Sequence, residues 1–162
     1  MKSPRADAPA KPRRVDGIEE LLCALVVTEP SLATLPEAEV LDQIGHLGLR
    51  SVAAAGSAAA DVLAVSPAEV RDRVERRLTE VRGTLVEPEA RRQAFLDAAR
   101  DLKLAAVDER IASVKVEMDA LDDLTDDAVP LHDELRELTQ ERQRLTALRR
   151  STTKMASDAL RH

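Results

Sequence analysis

Ile18, Leu21, Leu22, Leu25 and Val26 recur at steps of three and four residues, which place side chains on one face of an α-helix. The spacing predicts a first helix opening at Asp16, with Asp16 and Glu19 at capping-box distance, and ending before Pro30. Cys23 lies just off this stripe, where a small residue at a packing edge is the natural reading. Pro36 opens a second helix through Val40, Leu41 and Ile44, with Gly45 and Gly48 as its stop. The Ala-rich stretch 49–65, interrupted by Gly56 and Ser57, reads either as one broken helix or as two short ones. Ser66-Pro67-Ala68-Glu69 then offers an N-cap serine, a first-turn proline and a glutamate at box spacing. The helix it starts turns Val70, Val74, Leu78, Val81 and Leu85 inward, with arginines and glutamates interleaved outside.

From Pro88 to Leu121 no residue breaks a helix, and at 1.5 Å per residue such a rod measures roughly 50 Å. Phe95, Ala99 and Leu102 line its first part. Leu104, Val107, Ile111, Val114, Met118 and Leu121 then repeat at alternating steps of three and four, a heptad seam. A polar turn, Asp122 to Asp127, separates it from a last helix carrying Leu131, Leu135, Leu138 and Leu145, with Arg142 interrupting the seam and Leu148 extending it. Two such helices joined by a short turn fold back as an antiparallel hairpin. The fold class expected is therefore all-α: a bundle of short helices, a long connecting helix and a C-terminal helical hairpin. The division expected is a basic Pro/Ala-rich linker at 1–14, a bundle at 15–87, the long helix and hairpin at 88–150, and a frayed tail at 151–162.

Composition sharpens the picture mainly by exclusion. Among 162 residues Phe95 is the one aromatic and Asn is absent, whereas strand-rich folds draw on both aromatics and Asn or Gly turns. One Phe cannot build a base-stacking platform. One Cys and three scattered His fall short of the four ligands of a zinc site, and the aspartates of 122–127 lack the spacing and glycine of a calcium loop. His46 and His132 have no Asp or Ser at catalytic spacing, and no phosphate loop, nucleophile elbow or catalytic carboxylate pair is legible. The chain reads as non-catalytic, with no cofactor and no metal. Its net charge of −6 disfavours direct nucleic-acid binding, the more so because residues 15–66 hold eight acids against one base. The basic start and the apolar run Leu21–Val27 superficially suggest a signal peptide. Asp16, Glu19 and Glu20 abut that run and no cleavage pattern follows, so a cytoplasmic protein without membrane contact is expected.

Two stretches bring a family into view. Leu21-Leu22-Cys23-Ala24-Leu25-Val26-Val27-Thr28-Glu29-Pro30-Ser31-Leu32-Ala33 resembles the leucine-rich first helix, ending at a proline, of the C-terminal helicase-binding domain of bacterial DnaG-type DNA primases. Ala99-Arg100-Asp101-Leu102-Lys103-Leu104-Ala105-Ala106-Val107-Asp108-Glu109-Arg110-Ile111, continuing to Leu121, resembles that family's connecting helix as it enters the hairpin. With the last helix the resemblance covers about residues 15–150. Thr125-Asp126-Asp127 stands where the family commonly turns with Gly-Asp, and residues 52–65 match nothing in it. The zinc-binding and polymerising domains of a primase have no counterpart here, and the basic, Pro-rich start looks like an interdomain linker.

The resemblance implies a module that docks a primase on the N-terminal domains of the hexameric replicative helicase and modulates it. The contact residues expected are Leu121, Leu124, Val129, Leu131 and Leu148, with Arg142 and Arg149 as polar anchors; for Leu131, packing within the hairpin is the stronger reading. The competing expectation is a free-standing coiled-coil scaffold or dimerisation module, in which the same seams pair between chains.

Overall fold

The computed structural model describes residues 16–121 and 128–160, with side chains for 17–121 and 128–148. It is all-α; among the described residues there is no strand. The helices are α1 (Asp16–Thr28), α2 (Leu47–Ala54), α3 (Ala59–Ala64), α4 (Ala68–Thr84), α5 (Pro88–Ala120) and α6 (Ala128–Leu160). Three 3₁₀ segments, Pro30–Thr34, Pro36–Gln43 and Gly56–Ala58, join the early helices.

α1 is the axis of the bundle. Leu22, Cys23, Ala24, Leu25 and Val26 are all fully buried, so the helix is enclosed all round at its middle, not along one stripe. The enclosure comes from α4 on one side and from α2, α5 and the first 3₁₀ segment on the others. Cys23 is thereby a core residue, its Sγ donating to the Leu49 carbonyl at 3.1 Å. Burial, then the nearby Glu19 carboxylate, push the thiol up to about 12. Glu19, 2% exposed, accepts from the Gly45 amide at 2.9 Å. It thus ties α1 to the approach to α2, a long-range role where the sequence predicted a local cap; the Asp16 side chain lies outside those described.

Other local expectations shift for similar reasons. Pro36 does open a helical segment, but of 3₁₀ type. Gly48 lies inside α2 and does not stop the segment before it, because His46 caps α2 through Nδ1, which accepts from the Leu49 amide at 3.3 Å. The 49–65 stretch resolves into two short helices, with Gly56 at φ +54° making the bend between them. Ser66 does not cap α4: its hydroxyl donates back to the Val62 carbonyl at 2.7 Å, and α4 starts behind Pro67 with no side-chain cap. The inward face of α4 is as expected, with Val70, Val74, Leu78 and Val81 buried.

α5 runs 33 residues with Pro88 in its first turn. Phe95, Ala98, Ala99 and Leu102 enter the core shared with α1, and beyond Leu102 the helix leaves that core and packs on α6. Arg91 fastens the elbow before it, donating to the Leu85 and Val86 carbonyls and, at 3.3 Å, to Glu29. The turn expected at 122–127 lies outside the described residues. α6 remains helical to Leu160, past Ser151 where fraying was expected; that stretch contains neither Gly nor Pro to break it. No single described helix is long and apolar enough to cross a membrane.

Candidate functional site

The hairpin is built from the heptad seam. Val107 and Val114 of α5 and Ala128 and Leu145 of α6 are buried, while Leu104, Ile111, Met118, Leu121, Leu131, Leu135 and Leu138 are half-buried. Two helices enclose the middle of the seam but leave its flanking members only partly covered, so a ribbon of aliphatic surface stays within reach of a partner.

Charged pairs outside the seam fix the antiparallel register. Arg110 grips Glu134 with two hydrogen bonds, at 2.6 and 3.0 Å, and also reaches Glu117 at 3.3 Å. Arg142 meets Asp108 at 2.6 Å, and Glu141 takes Arg144 at 2.6 Å and Lys103 at 3.4 Å. The Arg110 hydrogen bonds hold the Glu134 carboxyl below the usual carboxylate range, and Arg144 first, then Lys103, do the same for Glu141. All these groups lie toward solvent, where each pair contributes little stability, but those that cross between the helices, Arg110–Glu134, Arg142–Asp108 and Lys103–Glu141, disfavour a slipped register.

The structure groups the expected contact residues in two places. Leu121, at the end of α5, and Leu131, on the first turn of α6, are half-buried near the hairpin tip; Val129 beside them is 58% exposed. Leu124 falls outside the described residues, and so does the Arg149 side chain. Leu131 is half-buried on the seam, as the packing reading anticipates. Arg142 lies 13 residues beyond Val129, about 20 Å along the helix, and is engaged with Asp108 as a brace across the hairpin. Leu148, 45% exposed, is about 28 Å from Val129 and lines a cleft against the bundle.

Sequence reasoning missed that cleft and also Val116, 69% exposed on α5 at the tip end of the hairpin. Val116 falls between seam positions, and an apolar residue off the seam is a signal that the heptad count alone passes over. Among the described residues no group of three or more His, Cys, Asp or Glu is placed to hold a metal ion. What the hairpin offers chemically is an aliphatic tip with charged flanks, a surface suited to protein contact.

The chain is 30% identical to a DNA primase of Myxococcus xanthus over 151 residues, which is 91% of this chain and 24% of that protein. It thus spans about a quarter of the relative's length. No protein-family model matches the chain. No solved structure matches it significantly. The resemblance carried by residues 21–33 and 99–121 holds along nearly the whole chain: it is similar to part of a DNA primase, and its all-helical fold is compatible with that family's C-terminal helical domain.

Proposed function

We propose that the chain is the helicase-interaction module of a bacterial replicative DNA primase, non-catalytic by itself, which docks on the N-terminal domains of the hexameric replicative helicase. The observation that carries the reading is the primase similarity across 91% of the chain, residues that fold into a bundle and a protruding hairpin. The hairpin tip, with Leu121, Val129 and Leu131, is the docking surface. It pairs a few reachable aliphatic side chains with charged surroundings, the composition of a transient interface. Arg142 serves the contact indirectly, by holding α6 in register through Asp108.

The test is light-scattering chromatography of the chain with the replicative helicase of its own organism, followed at the peptide bond because Trp and Tyr are absent. A monomer that co-elutes with the hexamer, and whose Val129→Asp variant binds about tenfold more weakly with an unchanged helical spectrum, is the expected result. A stable dimer that ignores the helicase would sink the proposal in favour of a self-pairing scaffold.

A further inference from the structure

α5 and α6 are equally long, 33 residues each, but they are held very differently. α5 sends Phe95, Ala98, Ala99 and Leu102 into the core around α1, and among the described residues α6 sends none there. A cleft of about 480 Å³, lined by Val40 and Leu96 on the bundle side, opens beside Leu145 and Leu148 near the end of the described side chains of α6. α6 therefore relies on α5 for its packing. Of its described side chains Ala128 and Leu145 are buried, at 6% and 4%, while Leu131, Leu135 and Leu138 are half-buried.

An apolar side chain stabilises in proportion to the surface it hides, so these leucines hold α6 less firmly than the enclosed side chains hold the bundle. The pairs that cross the hairpin, Lys103–Glu141, Asp108–Arg142 and Arg110–Glu134, face solvent and add little. A segment with few buried apolar contacts opens at a lower free energy than the core it is attached to. The opening also has a boundary. Beyond Leu102 α5 continues a helix already nucleated in the core, without Gly or Pro as far as Ala120, and it can stay helical when α6 leaves. The firmest hold on α6 is Leu145, the one large side chain buried among those described on this helix. It shares its surroundings with Ala99, Arg100 and Lys103, where α5 is fixed by the bundle.

We infer that α6 is a strap that opens from α5 as a unit while the bundle and the first half of α5 stay folded, and that Leu145 is its latch. Opening uncovers Val107 and Val114 and takes Val129 and Leu131 away from Leu121, so the tip surface exists only in the closed form. A partner that binds the closed tip would suppress the opening, and one that binds the bared face of α5 would favour it. The inference concerns the free chain, and it stands or falls without reference to the helicase.

The experiment is native-state hydrogen exchange of the full chain, read by mass spectrometry on peptic fragments. Protection of α6 should be at least about tenfold below that of α1 and α4. Val74→Ala, at a fully buried site of α4, should lower protection of α1 and α4 at least about tenfold and leave α6 as it is, because the bundle is intact in both the closed and the opened form. Where that variant does not fold, Ile44→Val in the same core reads the same difference at about two- to tenfold. Leu145→Ala should lower protection of α6 at least about thirtyfold, and Leu138→Ala, at a half-buried site, by less. Equal protection of α1, α4 and α6, or an equal loss in α6 on changing the bundle core, would show one cooperative unit and overturn the inference. A larger effect of Leu138→Ala than of Leu145→Ala would remove the latch. Protection of α6 that rises with protein concentration would place its partner in a second chain and overturn the strap as well.

Discussion

Gly48 and Gly83 both lie within helices, and the same substitution should act on them with opposite signs. An ideal Cβ on Gly48 would lie 2.6 Å from Cγ2 of Val70 and 3.2 Å from Cε1 of His46. Neither neighbour can step aside easily. Val70 is 3% exposed and β-branched, with its χ1 fixed by α4, and the His46 ring is held by the hydrogen bond that caps α2. A Cβ on Gly83 would meet nothing within 4 Å. Alanine gains about 0.5–1 kcal/mol over glycine in a helix, and overpacking a tight contact costs about 1–3 kcal/mol. Gly83→Ala should therefore stabilise by up to about 1 kcal/mol, and Gly48→Ala should destabilise by about 1 kcal/mol. For a chain of this size the gap of about 2 kcal/mol is roughly 4–8 °C in melting temperature. Urea and thermal unfolding followed by far-UV circular dichroism measure both, since no Trp or Tyr is present to fluoresce. Removing the obstructing methyls should make the two changes interdependent. Val70→Ala should cost at least about 1 kcal/mol less in the Gly48→Ala background than alone. Equal stabilities for the two alanine variants, or a cycle without coupling, would refute the close approach of α2 to α4.

The hairpin should also answer to acid. Glu134 and Glu141 have folded pKa values below the ordinary 4.5, so the stability they add is complete above that value and is lost as pH falls through their lower folded ones. Melting curves taken from neutral pH downward should decline below about 4.5, and the Glu134→Gln/Glu141→Gln variant should decline less steeply; identical slopes would show that the pairs do not form. Cys23, fully buried with its thiol pushed up to about 12, should react with a disulfide reagent at mildly alkaline pH only as fast as the protein unfolds. Prompt native-state labelling would contradict its place in the core.

Legibility in the sequence followed the range of the interactions concerned. The inward face of α4, the extent of α5 and the hairpin seam were readable because each depends on spacing within one helix. α1 was read too narrowly. Its periodicity shows the strongest face, but Cys23 and Ala24 are small enough to be overlooked as core, and only the packing of α2, α4 and α5 around them closes the other sides. Capping was misassigned wherever the partner was distant or unusual. Glu19 reaches Gly45, Ser66 closes α3 instead of opening α4, and His46 caps α2 from a residue type that cap preferences rank low. Of the expected contact set, Leu121, Val129 and Leu131 fall at one end of the paired helices, because α5 ends and α6 begins within a few residues of each other. Leu148 entered that set as an apolar residue of the last helix, and the heptad pattern that places it on that helix does not say which other element it faces.

The long helix shows how one element serves two kinds of surface. Over its first half α5 is a core helix, with Phe95 fully buried and Ala98, Ala99 and Leu102 at 5% or less. Those burials fix its direction against α1, and at about 1.5–3 kcal/mol for each large apolar side chain they anchor it firmly. Over its second half it packs on α6, and many seam residues there are only partly covered among the described residues. A third layer would bury that remainder, and none is supplied by the described residues. The exposed remainder is a modest patch, not a core cut in half, which fits association that forms and dissolves over association that is permanent. The charged flanks then act on register and encounter more than on affinity. A hairpin anchored through α5 and left partly covered beyond it is the arrangement that a docking arm requires, and this is the physical reason for placing the proposed helicase contact at the tip.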